Sequence, residues 1–297
     1  MSTGTESGGR QPAYRLRRIF SGSTLRLAVL ILCFLWTVPT VGLFISSLRT
    51  PNAIRVTGWW TALRNPFNVE QWTLANYQNV VGANGLGDAF VNSLIVTIPA
   101  TVIPITIAAF AAYAFAWIRF TGRDALFAVV VGLIVVPLQM TLIPILRLYT
   151  STDVNGTFFG IWLAHTGFGI PLAVFLLYNF ISQIPRDLIE AAAIDGASHF
   201  QVFTMLVLHV SMPAIASFAV FQFIWVWNDL LIALVFLGTG PAVATVTARL
   251  SELVGSRGQD WHLLTAGAFL SVCVPLVVFF TLQRYFVRGI LAGSVKG

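Results

Sequence analysis

The stretch Pro185-Arg-Asp-Leu-Ile-Glu190-Ala-Ala-Ala-Ile-Asp195-Gly-Ala-Ser198-His-Phe-Gln201-Val-Phe203-Thr-Met-Leu206-Val-Leu-His209-Val-Ser-Met-Pro213 decides how this chain folds. It is a long polar break between hydrophobic segments and carries its own helix signals. Pro185 suits a first helical position, where its missing N–H would be unpaired in any case. Asp187 and Glu190 set negative charge near the positive end of that helix. Ala191, Ala192 and Ala193 are strong helix formers with almost no side chain, so another surface can approach them closely. Gly196 can adopt the left-handed conformation that ends a helix. Ser198 and Gln201 form a capping-box pair that starts a second helix, with Phe200, Phe203, Leu206 and Val207 gathered on one side. The stretch reads as two short helices joined by a glycine elbow outside a bilayer. On periodicity alone, an ordinary amphipathic connector fits these residues equally well.

Outward from this break the chain is apolar. Of 297 residues 57% are hydrophobic and 9% charged, with a mean hydropathy of +0.83. A soluble domain carries about a quarter of its residues as charges, so this composition belongs to a polytopic membrane protein. Residues 27–48, 89–118, 125–146, 154–185, 196–228 and 261–283 contain no Asp, Glu, Lys or Arg. Each gap covers the roughly 20 residues needed to cross a hydrocarbon core. Six spanning helices are expected near 25–48, 90–118, 125–147, 158–182, 213–237 and 263–286. Residues 1–24 read as a basic cytoplasmic tail and 49–88 as an external segment bearing Trp59, Trp60, Trp72 and Tyr77. Residues 89–287 read as one membrane domain with its polar loop at 183–212, and 288–297 as a second tail.

Eleven of the seventeen basic residues fall on the side of the two tails and the Glu190 loop, and six on the other (Arg49, Arg55, Arg64, Arg147, Arg249, Arg257). Positive charge collects on the cytoplasmic side, which puts both termini and the loop there. The net charge of +6 is this bias. The arginines are dispersed among membrane edges, which argues against a nucleic-acid partner. Cys33 and Cys273 fall inside expected spans, where a free thiol behaves as a small apolar group. The four histidines lie in separate segments without ligand spacing. The first hydrophobic run is too long for a cleavable leader.

Glu190-Ala191-Ala192, Asp195-Gly196-Ala197, Phe203, Leu206, Leu208 and Pro213 resemble the EAA loop of permease subunits in ABC importers fed by a solute-binding protein. In that family the loop is a coupling helix that docks on a cytoplasmic ATPase. The family usually has a proline after the position of Leu208, where this chain has His209. Further likeness runs in order through Ala112–Ala116, Arg119–Arg123, Val136–Gln139, Ile143-Pro144, Trp227-Asn228, Gln283–Gly289 and Ala292–Gly297. Together these are similar to the carbohydrate-uptake permeases related to the smaller maltose-permease subunit. Trp72–Tyr77 resembles carbohydrate permeases, and Thr57–Trp60 resembles α-glucoside importers.

The resemblance implies an all-α type I importer fold and a set of partners. These are a second homologous permease, two cytoplasmic ATP-binding subunits, an external sugar-binding protein and the bacterial inner membrane. ATP and Mg would sit on the partner subunits, and no cofactor or metal is expected in this chain. A phosphate-cradling loop needs Gly-Lys-Ser/Thr, and the sole lysine is Lys296. Glu190, Ala191, Ala192, Asp195, Gly196 and Ala197 are the expected ATPase-coupling residues.

Asp229 is the one formal charge between residues 197 and 248. A carboxylate inside a span costs about 2.5–3.5 kcal/mol and marks a functional candidate. With Trp225, Trp227 and Asn228 it offers an aromatic beside polar groups, which suits a sugar. The competing reading is a polar group satisfied by the partner permease or by backbone where the helix breaks. A permease for another solute class is the main competitor within the importers. An ion-coupled secondary transporter is the rival from another class; it would call for several intramembrane carboxylates or a relay and an internal repeat, and neither is evident.

Overall fold

The computed structural model describes residues 22–83, 85–254 and 260–294. Most of the expected first tail, Arg257 and the last three residues lie outside these. Helix α1 spans Gly22–Ser47, followed by the short α2 (Pro51–Val56) and α3 (Ala75–Val81). Next come α4 (Leu86–Trp117), α5 (Arg123–Gly132), α6 (Leu138–Ser151), α7 (Phe158–Ile181) and α8 (Arg186–Ile194). A continuous helix α9 runs from His199 to Trp227. The chain then forms α10 (Leu231–Phe236), α11 (Val246–Val254) and α12 (Trp261–Ser294). No strand occurs among the described residues.

Five helices, α1, α4, α7, α9 and α12, are long and apolar enough to cross a membrane. The expected third span departs from a simple crossing. Arg123–Val135 and Leu138–Ser151 meet at a bend of 103°, because Val136 is extended and Pro137 caps the second half. The residue before a proline is pushed out of the helical region, and proline has no N–H to continue the ladder. The expected fifth span, 213–237, is also divided. Its helix begins at His199 and stops at Trp227, and Asp229 sits in the gap before α10. The second span starts at Leu86, which makes Asn92 an interior, buried residue of that helix. Its side-chain amide donates to the carbonyls of Ala242 and Ala244, at 3.1 and 3.2 Å.

Helices in lipid associate through close packing of small residues rather than through hydrophobic expulsion. The most extensive contact, α4 against α7, follows that rule: Ala108, Ala109 and Ala112 share a buried cluster with Ala173, and Ala100 shares one with Ala164. At Gly169 an added Cβ would lie 2.8 Å from the Gln222 amide nitrogen. That buried amide donates to the Ala100 carbonyl at 3.1 Å, so one side chain ties α9 to α4 over the missing side chain of α7. Helix α1 lies at the periphery against α12, with Phe44 and Phe269 ring centroids 4.8 Å apart.

Arg49 organises the segment after α1. Its guanidinium is buried and donates to the carbonyls of Thr57 and Gly58 at 3.1 and 2.9 Å and to Thr57 Oγ1 at 2.5 Å. Burial pulls its pKa below the ordinary value. Asn76 donates to the carbonyls of Ser47 and Arg49. The tryptophans here serve this small domain in part: the Trp72 indole donates to the Pro66 carbonyl at 2.9 Å, while Trp60 remains exposed.

Candidate functional site

The elbow is built from three local devices. Helix α8 ends in a Schellman motif, with Ala197 N–H donating to the Ala192 carbonyl at 3.0 Å and Gly196 N–H to Ala193 at 3.1 Å. Gly196 has φ +78°, in the left-handed region that a side chain disfavours. Ser198 and Gln201 form the full capping box at the start of α9. Pro185 stands one position earlier than expected, as the N-cap of α8.

Helix α8 shows two faces. Arg186, Asp187, Leu188, Glu190, Ala191, Ile194, Asp195 and Gly196 are exposed. Ile189, Ala192 and Ala197 turn inward against the core of α4, α7 and α9. Of the six expected coupling residues, Glu190, Ala191, Asp195 and Gly196 therefore lie on the open face, and Ala192 and Ala197 seat the helix on its own bundle. The open face mixes charge with the bare apolar groups of Leu188, Ile194 and Phe200.

Beyond the elbow, Tyr113 of α4 meets His199 Nδ1 at 3.0 Å and packs on Phe203. Val202–Val207 form a π-helical segment, closed by Leu208 N–H on the Phe203 carbonyl. The N–H of His209 stays inside a helix that continues to Trp227. A cavity of about 400 Å³ lies beside it, lined by Thr106, Phe110, Phe203, His209 and Met212.

The second candidate group separates when the helix is followed. Residues two apart on a helix point to opposite sides, and Trp225 and Trp227 do so. Trp227 is 2% exposed, stacks on Phe223 at 5.9 Å, and donates its indole N–H to the Ser271 carbonyl at 3.2 Å. Its groups are taken up by the fold. Asn228 is exposed and bonds back to Ile224. Asp229 stands one residue before the N-cap of α10: its Oδ2 accepts from Ala233 N–H at 3.0 Å, and its own carbonyl accepts from Thr247 Oγ1 at 2.8 Å.

Trp225 lines a cavity of about 720 Å³ between the bent third span and α7. No Asp, Glu, Lys, Arg or His lines it; its polar side chains are Thr141, Tyr149 and the Trp225 indole. Behind Trp225 lies His165, buried, with ring centroids 5.3 Å apart and planes at 89°. His165 Nε2 is 3.8 Å from Asp229 Oδ2, and its Nδ1 has no partner. Sequence reasoning missed His165, because a lone histidine in an apolar run gives no sign of its neighbours. Among the described residues no cluster of His, Cys, Asp or Glu could hold a metal.

Residues 18–292 match the family model described as binding-protein-dependent transport system inner membrane component. A permease of Synechocystis sp. named for uptake of osmoprotective compounds, GgtD, is 62% identical over 92% of this chain and 91% of its own length. The α-glucoside transport system permease AglG of Rhizobium meliloti is 44% identical, covering 92% of this chain and 97% of AglG. Among solved structures, a chain of a bacterial ABC transporter that imports alginate superposes with a TM-score of 0.71 at 18% identity. That match covers 94% of this chain and all of the other, and supports the fold. With the family model matched over residues 18–292 and these two relatives covering 92% of it, the chain belongs to the inner-membrane components of binding-protein-dependent transport systems.

Proposed function

We propose that this chain is one of two permease subunits of an ATP-driven importer for a small, uncharged α-glucoside. The observation that carries this reading is the α8 elbow. It is a short helix seated by Ile189, Ala192 and Ala197, with Leu188, Glu190, Ile194 and Phe200 left open beside it. Such a face suits the groove of a cytoplasmic ATP-binding subunit. In this reading Glu190 makes a polar contact there, Ala191 allows close approach, and Asp195 and Gly196 shape the turn. Both termini and the 183–212 loop are cytoplasmic, two ATP-binding subunits hold ATP and Mg, and an external sugar-binding protein delivers the solute. Closure of the ATP-binding pair pushes the elbow and rocks the spans between inward- and outward-facing arrangements.

Two relatives support the solute class. One is named for osmoprotective compounds and the other for α-glucosides, and a small neutral α-glucoside satisfies both names. The uncharged lining of the 720 Å³ cavity is consistent with such a solute. The test is reconstitution in liposomes with a partner permease, an ATP-binding subunit and a binding protein of the same transport system. Uptake of labelled trehalose, sucrose or maltose that requires internal ATP is expected. Accumulation driven by a proton or sodium gradient with this chain alone would overturn the reading.

A further inference from the structure

We propose that the bend in the third span creates a glucosyl-binding subsite on this chain, with Trp225 as its stacking face. This rests on the reading of the chain as an importer of uncharged α-glucosides, and it adds where one ring of that solute sits. A glucosyl ring has an apolar face and a rim of hydroxyls, so its site needs a flat aromatic beside unpaired hydrogen-bonding groups. The cavity supplies both.

Trp225 is held side-on by the His165 ring. His165 stands 3.8 Å from Asp229, itself fixed by accepting from Ala233 N–H in the first turn of α10. The indole is thereby set in place before any solute arrives, which lowers the entropy cost of binding. One wall is a face of α7, where Ala164, Gly167, Phe168 and Pro171 recur at helical spacing. Pro171 lacks an N–H, so it cannot donate to the Gly167 carbonyl four residues earlier. That acceptor belongs to a residue with no side chain to cover it. A Cβ built at Gly167 meets nothing within 4 Å. From α6, Tyr149 adds a hydroxyl, and Thr141, whose hydroxyl donates to the Leu138 carbonyl at 2.7 Å, adds an acceptor. The cavity, about 720 Å³, falls within the about 300–1,000 Å³ of small-molecule sites. A lipid tail or a side chain of the partner permease could fill an apolar groove. Neither needs the freed carbonyl or an anchored aromatic face.

The open space at Gly167 provides the test. In the complete reconstituted complex, solute moved per ATP hydrolysed is compared for wild type, Gly167→Ala and Gly167→Leu with the same labelled α-glucosides. The leucine fills the subsite and is expected to cut that ratio at least tenfold, the alanine by less than threefold. Trp225→Phe keeps an aromatic face and is expected to retain over half the wild-type ratio, whereas Trp225→Leu falls below a tenth. A wild-type ratio in Gly167→Leu overturns the subsite, and so does a parallel loss of hydrolysis and uptake that leaves the ratio intact. Should Gly167→Leu not assemble, the Trp225 pair decides, and equal ratios in Phe and Leu overturn it. A wild-type complex that takes up none of these sugars overturns the solute reading first and the subsite with it.

Discussion

Replacing Gly196 separates the backbone geometry of the elbow from its surface. The residue sits at φ +78° and an added Cβ would touch nothing within 4 Å, so no clash contributes to the outcome. What remains is the cost of holding an L-residue in the left-handed region, about 1–2 kcal/mol. A β-branched residue lies at the upper end or beyond, being a genuine outlier there. Asparagine tolerates that region. The expected order of disturbance is therefore Gly196→Asn, then Gly196→Ala, then Gly196→Val. At about 1.4 kcal/mol per factor of ten, Gly196→Val populates an opened elbow some ten- to thirty-fold more than wild type. Hydrogen exchange of the amides of Gly196 and Ala197, which bond to Ala193 and Ala192, should rise by that factor. In the reconstituted complex, solute moved per ATP should fall in the same order. Equal exchange and equal coupling for Val and Asn would refute the conformational argument.

Other consequences can be checked separately. Gly169→Ala puts a methyl 2.8 Å from the Gln222 amide nitrogen and displaces its bond to Ala100; a loss of about 1–3 kcal/mol for a buried unpaired amide should lower the melting temperature. Adding Gln222→Ala to that variant should cost less than it does in wild type, since the two residues are coupled. Arg49→Met removes the donors to Thr57 and Gly58, each worth about 1.5–3 kcal/mol as a bond to a charged group, so proteolysis between residues 57 and 63 should accelerate. Glu190→Ala alters an exposed residue and should change permease stability by less than about 0.5 kcal/mol, while weakening co-purification with the ATP-binding subunit. Ser198→Ala loses an N-cap worth about 1 kcal/mol, and exchange at Gln201 N–H should rise about fivefold.

The elbow could be read from the sequence because every device in it is local. Gly196, Ser198 and Gln201 act within five residues of one another, and the structure puts each in its expected role. The third span was harder. A window free of charge shows that a segment is apolar, but not that it runs straight, and the Val136-Pro137 signal for a break is lost in the average. Asp229 had two readings, and its contacts with Ala233 and Thr247 favour the backbone-satisfying one. That outcome depends on α10 and α11 folding back, which no nearby residue announces. Trp225 and Trp227 look alike in sequence, yet their spacing already requires opposite faces. His165 gains its importance only when α7 carries it to Asp229, sixty-four positions away.

Helix α9 links the two ends of the molecule that matter. From His199, beside the glycine turn, to Trp225 is a single helix with twenty-six steps, about 39 Å at 1.5 Å each. Swung by ten degrees about its His199 end, such a rod carries the indole sideways by roughly 7 Å, about the width of a sugar ring. A nudge delivered at the handle would then arrive at the cargo as a displacement, with no relay of intermediate contacts between them.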